Sequence, residues 1–530
     1  MSTPLHTKNK PTLEFTNVSE IPSLVSKLRT NFNQSTTKDL KWRKHQLRQL
    51  AKLLKENTKQ ITDALYQDVK KNFEEAYTTE ILICINEIND CLMNVDSWAK
   101  PEKVHGDILI NAFDNCQIRS EPLGVCLIIG AWNYPIQLLL CPLIAALAAG
   151  NCCLLKPSEI SVATAAALTE LIPKYLDNNC IAMVNGGVVE TTALLKEKFD
   201  HIFYTGNGTV GKIIMSAASK TLTPVVLELG GKSPVYVDKH CNTKIAAKRI
   251  LWAKCINAGQ TCISPDYILC HKDSQASLIE DFNVALKELH TENPKSSETF
   301  ARIVNKNHFN RLATVFKKQL EINNKTKISI GGFENFDENE LYIPPTILEN
   351  VKSGDPIMHD EIFGPLLPII TVNSVDEAIE YVNDRDRPLA IYSFSEKNAV
   401  SEKLLRSTNS GVALVNDLLM NMPVGSLPFG GVGASGMGNY HGKNGFDALS
   451  HKRGVMIRQK GMEFLNELRY PPYSPLKWKV FVTAAEKSIP SDTTIFLTNL
   501  FKSSLSWFWL GLLLTLPFIA GYLSGKNRLF

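Results

Sequence analysis

What this chain lacks narrows what it does. There is no large excess of either charge: 57 Lys and Arg against 53 Asp and Glu leave a net +4, too little over 530 residues for a nucleic-acid-binding surface. There is no paired cysteine spacing of the kind a structural zinc needs, so no metal site is expected. The twelve cysteines stand at 84, 91, 116, 126, 141, 152, 153, 180, 241, 255, 262 and 270. Scattered in this way, they read as free thiols of a reducing compartment and not as a disulfide framework. If Cys152–Cys153 lies in a strand, these neighbours point to opposite faces. The opening residues, MSTPLHTKNKPTLEF, have no apolar core, which argues against a secretory leader. No repeat of solenoid period is visible.

What is present fits two or three globular domains, with 44% hydrophobic and 21% charged residues. One stretch departs from that pattern. Residues 505–523, LSWFWLGLLLTLPFIAGYL, contain no charged side chain. As a helix they would span roughly 28 Å, close to a bilayer core. Lys502 precedes the stretch, Lys526 and Arg528 follow it, and Trp507, Trp509 and Tyr522 lie near its ends as interfacial aromatics do. Pro517 is tolerated in a membrane helix. A tail anchor with the bulk of the chain in the cytosol is expected; a buried C-terminal helix packed on its own domain is the alternative. The mitochondrial outer membrane, the endoplasmic reticulum and the lipid-droplet surface all accept such tails, and the trailing basic residues mildly favour mitochondria.

Along the chain, residues 20–100 read as helices, with apolar positions at helical spacing over 40–67 and 80–98. Residues 108–118 suggest a two-stranded excursion around Asp114–Asn115. Strands are then expected at 125–130, 152–155, 181–184, 200–205 and 224–229, alternating with helices at 138–149, 161–171, 190–196 and 210–220. Such alternation predicts a doubly wound parallel sheet that binds a nucleotide at its carboxyl edge. A second alternating unit follows, with helices at 245–255, 274–289, 310–323, 375–383 and 399–407 and strands at 267–271, 388–393 and 411–416. The glycine-rich stretch 425–445 reads as loop.

Within this frame, NAGQTCISPD (257–266) places Cys262 where a turn can lift a thiol into a cleft. Only the thiolate is a strong nucleophile, so such a cysteine needs a depressed pKa or a nearby base. Glu228, ending an apolar run in LELGGKSP (227–234) and followed by two glycines, is the candidate base. Taken singly, Cys262 reads equally as a small buried hydrophobe and Glu228 as a solvated strand end. The motifs around them change that balance.

In order, WNYP (132–135), KPSE (156–159), FYTGNGTVGK (203–212), LELGGKSP, NAGQTCISPD, EIFGP (361–365) and PFGGVGASGMG (428–438) resemble the aldehyde dehydrogenase superfamily. Within it they resemble the membrane-bound fatty aldehyde dehydrogenases of the class 3 type, over residues 20–475. Each motif alone is weak; the ordered set is specific. RYPPYSP (469–475) is similar to the short tail that precedes the anchor in that group. The resemblance implies an α/β protein with a doubly wound NAD-binding domain (20–104 and 119–228) and a second α/β catalytic domain (229–417). It further implies a small β oligomerisation arm (105–118 and 418–460), a tail and linker (461–504) and the anchor (505–523).

It also implies the chemistry. Cys262 attacks an aldehyde carbon, and the Asn133 amide with the Cys262 N–H stabilises the resulting oxyanion. After hydride transfer, water activated by Glu228 hydrolyses the thioester. By the same resemblance, Lys156 and Glu159 contact the adenosine ribose, Gly206 and Gly211 shape the turn near the pyrophosphate, and Glu361 meets the nicotinamide ribose. Trp132 and Phe363 pack against the cofactor. NAD is expected, with NADP possible; Glu159 should repel a 2′-phosphate and Lys156 should soften that preference. Plainer readings stand beside these: Asn133 as a helix cap before Pro135, Ser158 as an N-cap, Glu361 and Phe363 as an ordinary turn. Gly206, Gly208 and Gly211 match the dinucleotide glycine spacing, but no acidic residue follows at the usual distance. His441 reads as structural. The expected activity is oxidation of medium- to long-chain aliphatic aldehydes by a homodimer. An acylating dehydrogenase that passes its thioester to a thiol is disfavoured by Glu228, and a catalytically silent membrane-tethered scaffold by the intact Cys262, Glu228 and Asn133 set.

Overall fold

The computed structural model describes residues 12–104, 111, 114–291, 293–461, 463–487 and 489–495. The expected anchor, 505–523, lies outside the described residues, among which no helix is long and apolar enough to cross a membrane. The chain divides into two compact units, Met1–Pro101 with Arg119–Arg453, and Glu102–Ile118 with Gly454–Phe530.

The larger unit holds two sheets. The first runs, edge to edge, Gly436–Met437, Val225–Glu228, His201–Thr205, Val125–Ile129, Cys152–Lys156, Ile181–Met183. All its pairings are parallel except that of Gly436–Met437 with Leu227–Glu228. The chain winds outward from Val125–Ile129 to one side, then returns to lay His201–Thr205 on the other. That reversal opens a crevice at the carboxyl ends of the strands. Cys152 and Cys153 do point to opposite faces, each into a different buried cluster. The helix Gln137–Ala149 is buried at every position, which is why its sequence looks membrane-like although it joins two strands of one sheet.

The second sheet runs Lys327–Ile330, Thr346–Glu349, Leu366–Val372, Tyr267–His271, Pro234–Val237, Ala390–Phe394, Val412–Val415, antiparallel only at its first pair. Four of these strands have no counterpart in the sequence expectations: Pro234–Val237, Lys327–Ile330, Thr346–Glu349 and Leu366–Val372. Pro234 and Pro368 read as breakers, and strands buried on both faces lack the period-two signal.

Other expectations are corrected. The 40–67 helix is two, Leu40–Glu56 and Thr58–Val69, broken at Asn57. The excursion pairs Glu102–Val104 with Cys116–Ile118, so its first strand lies earlier than expected. The 425–445 stretch is not all loop. Gly436 joins the first sheet with φ 150° and would set a Cβ 2.3 Å from the Leu227 carbonyl, so only glycine closes that pair. Gly442–Ala448 is helical. The 461–504 tail contains a helix, Pro475–Ala485, whose cap is the end of RYPPYSP: Ser474 accepts from the Lys477 N–H with Pro475 at the first position.

Candidate active site

The residues expected to do chemistry converge on the carboxyl edge of the first sheet and the amino edge of the second. Glu228 ends its strand and is 3% exposed, yet neither carboxyl oxygen has a hydrogen-bond partner. Burial pushes its pKa well above the carboxylate range. Asn133 lies just past Val125–Ile129, and its Nδ2 donates to the Gln260 carbonyl at 3.1 Å, two residues before Cys262. It does not cap the following helix. The N–H groups of Ile136 and Gln137 instead donate to Glu80 Oε2, at 3.0 and 3.1 Å.

Cys262 sits half-buried between the fully buried Thr261 and Ile263. The turn before it is unusual. Asn257, Ala258 and Gly259 are all left-handed, with φ of 50°, 52° and 74°. Gly259 is needed twice over: for its φ, and because a Cβ there would lie 2.4 Å from the Gly364 carbonyl. Side chains hold the turn on all sides. Gln260 Nε2 donates to the Asn257 and Arg302 carbonyls, and its Oε1 accepts from the Val304 N–H. Tyr134 and Thr261 share a 2.7 Å hydroxyl bond, and the Tyr392 hydroxyl donates to the Ile263 carbonyl at 2.7 Å. Burial pushes the Cys262 thiol up to about 12, the carboxyls of Glu361 and Glu228 add to this, and the amides of Ile263 and Cys262 pull it back.

Glu361 is pushed up to about 8, by burial first and by Asp266 second, with the Gly231 amide, Lys232 and Arg311 opposing. Asp266 is itself tied to Lys232 and accepts from the Ile362 N–H at 2.9 Å, fixing the EIFGP turn to the cysteine loop. Arg311 donates to the carbonyls of Glu361 and Ile362. Phe363, at φ 51°, meets Trp132 edge-on at 5.4 Å, and His308 lies 4.9 Å from Trp132 on its other contact. These three rings form one wall.

Lys156 ends Cys152–Lys156, buried, with Nζ 2.8 Å from Glu159 Oε2 and 3.1 Å from the Pro157 carbonyl. Gly206 follows His201–Thr205, its N–H bonded to the Glu228 carbonyl, beneath the Tyr204 hydroxyl. Gly211 lies in the helix Gly208–Ser219 against Leu229, and Asn207 caps that helix by accepting from Val210 N–H at 2.9 Å. Ser158 accepts from the Ile160 N–H at 3.3 Å, a turn bond; the N-cap of Val162–Tyr175 is Ser161, whose side chain makes no capping bond. His441 belongs with Glu87, its Nδ1 3.2 Å from Oε2.

Sequence reasoning missed Lys71, Glu75, Glu80, Gln260, Arg311, Tyr392 and His308. Charged residues in a helical stretch read as a solvated face, and a buried ion pair such as Lys71–Glu80 has no local signature.

This geometry has relatives. The model of the aldehyde dehydrogenase family matches residues 3–455. Mouse aldehyde dehydrogenase family 3 member B1 is 47% identical over 471 residues, 89% of this chain and 98% of that protein. The solved substrate-bound state of Staphylococcus aureus AldH is 41% identical, with a TM-score of 0.84, covering 87% of this chain and 99% of its own. Succinic semialdehyde dehydrogenase from Streptococcus pyogenes, solved in complex with NADP+, shares the fold at 21% identity, with a TM-score of 0.77 and coverage of 85% and 97%. A cysteine on a braced turn, within electrostatic reach of an unpartnered carboxyl that ends a strand of a doubly wound sheet, agrees with these matches, and the chain belongs to the aldehyde dehydrogenase family.

Proposed function

We propose that the protein oxidises medium- to long-chain aliphatic aldehydes to carboxylic acids with NAD, and with NADP less well. The observation that carries this reading is Cys262, a half-buried thiol on a braced turn, near enough to the buried, unpartnered carboxyl of Glu228 for that carboxyl to raise the thiol's pKa. The donor set fits a nicotinamide dinucleotide. Burial and mutual repulsion raise the pKa values of Cys262 and Glu361, so a cationic ring beside them would favour their ionised forms, and the Trp132–Phe363–His308 wall offers it flat surfaces. The capped start of Gly208–Ser219 and the Lys156–Glu159 pair suit a pyrophosphate and a ribose. When bound, NAD(P)+ supplies the hydride acceptor.

The chain's own groups do the rest. The Cys262 thiol gives up its proton to solvent water as sulfur adds to the aldehyde carbon, forming the thiohemiacetal oxyanion, which lies toward the Asn133 amide and the Cys262 N–H; re-formation of the carbonyl with loss of that carbon's hydride to the bound acceptor leaves the Cys262 thioester. Losing one such donor typically costs about 2.7–4 kcal/mol of transition-state stabilisation. Glu228, ionised, takes a proton from the water that attacks the thioester and releases the acid.

The preference for long aliphatic chains rests on the anchor 505–523, which would hold the site beside lipid aldehydes in the mitochondrial outer membrane or the endoplasmic reticulum. The exposed edge strand Ser450–Ile457 supports a homodimer through the arm. The test is steady-state oxidation of saturated aldehydes of increasing chain length, with Cys262→Ala as control. We expect specificity constants that rise with length and a variant that binds NAD without turnover. A variant within about tenfold of the parent, or constants that fall with length, refutes the reading.

A further inference from the structure

The nucleophile and the oxyanion donor come from different sheets, and one short segment touches the backbone that presents both. Lys71 is fully buried; its Nζ donates to Glu80 Oε1 at 2.8 Å and to the Asn133 carbonyl at 3.4 Å, and stands 4.1 Å above the Tyr134 ring. Glu80 Oε2 takes the N–H groups of Ile136 and Gln137. Five residues before Glu80, Glu75 Oε1 accepts from the Asn257 N–H at 2.8 Å, at the start of the left-handed turn that leads to Cys262. Asn257 closes the loop, its Nδ2 donating to the Asn133 carbonyl at 2.8 Å.

Left-handed backbone at Asn257 and Ala258 is disfavoured for residues with a Cβ and persists only where neighbours hold it. A carboxyl oxygen accepting from the first N–H of that turn at 2.8 Å is such a hold, because it gives a backbone donor in the strained turn a fixed partner. Burial raises the pKa of both Glu75 and Glu80, and the charge of Lys71 beside them opposes that shift.

We propose that Glu75 is a positioning residue for the reaction, acting through Asn257 to hold the turn that presents Cys262. The Lys71–Glu80 pair holds the loop that presents Asn133. Residues 71–80 thereby set the distance between sulfur and oxyanion donor. Neither Glu75 nor Lys71 touches substrate in this scheme. The inference rests on Cys262 being the nucleophile, as read above.

The test compares the full-length parent with Glu75→Ala and Glu75→Gln. Three quantities are measured: the burst rate of NAD reduction, the KM for NAD, and the rate of Cys262 alkylation by iodoacetamide. Glu75→Ala should slow the burst and alter alkylation by about tenfold or more while KM for NAD moves less than about twofold. Glu75→Gln, whose carbonyl can still accept from Asn257, should recover most of the burst rate. If Glu75→Ala does not fold, Glu75→Asp, which keeps the charge on an arm one methylene shorter, carries the same expectation. A folded variant lacking the Asn257 bond with a parental burst overturns the proposal, as does a loss that Gln does not repair and that KM for NAD shares. If the parent's burst survives Cys262→Ala, the nucleophile assignment fails instead, and the two failures are told apart.

Discussion

Replacing Glu228 by Gln removes an ionisable group and leaves its shape nearly intact. In the parent both carboxyl oxygens are buried without a partner, and burial raises the pKa well above the ordinary carboxylate value of about 4.5. The sign of the stability effect follows. A raised pKa in the folded state favours the protonated form there, so its contribution is fully present below about 4.5 and is lost as pH rises through the folded-state pKa. Wherever the folded chain holds a proton that the unfolded chain has released, stability falls by about 1.4 kcal/mol per pH unit. Glu228→Gln lacks this slope. Denaturant unfolding of both proteins between pH 5 and 8 should show the variant gaining on the parent as pH rises. Kinetically, the variant should form its acyl-enzyme, reduce about one equivalent of NAD per site, and then turn over about 10²–10⁴ times more slowly, the usual contribution of a general base. In the parent, deacylation should increase with pH to an apparent pKa above the ordinary carboxylate range, because the base works only when ionised. A stability difference that is flat with pH refutes the neutral, buried carboxyl. A burst lost together with turnover refutes the deacylation role and makes Glu228 the base for the thiol.

Three further outcomes are expected. Gly259→Ala places a Cβ against the Gly364 carbonyl on left-handed backbone, which alone costs about 1–2 kcal/mol; activity should fall with a lowered unfolding midpoint in urea, and parental activity would refute the braced-turn account. If Glu159 meets the ribose as proposed, NAD should have a larger specificity constant than NADP; its ion pair with Lys156 makes the preference modest, and equal constants would show that Glu159 does not read the 2′ position. A chain cut before Ser491 should leave the membrane fraction, oxidise a short soluble aldehyde as before, and lose rate on a long-chain aldehyde delivered in vesicles; sedimentation with carbonate-washed membranes would place the attachment elsewhere.

What the sequence by itself determined is the local and the ordered. Alternation of apolar runs with helical spacing placed strands at 125–130, 152–155, 200–205 and 224–229, each within a residue of the observed ends, and hence the doubly wound sheet, because each of those signals is written within about ten residues. The motif order brought Cys262, Asn133 and Glu228 together as candidates through resemblance, without any distance. Tertiary structure alone decided the rest. It made Glu228 an unpartnered acid, because burial depends on what packs over the strand end. It gave the helix after Asn133 its cap from Glu80 and not from its own loop, bonded Glu75 to the start of the cysteine turn, and set Lys71 against the Asn133 carbonyl. It also formed Pro234–Val237 and Leu366–Val372, strands buried on both faces whose prolines read as breaks until their neighbours supply the hydrogen bonds. The physical reason is the same in each case. A residue's charge, cap and pairing are set by groups far away in the chain, and no window of sequence contains them.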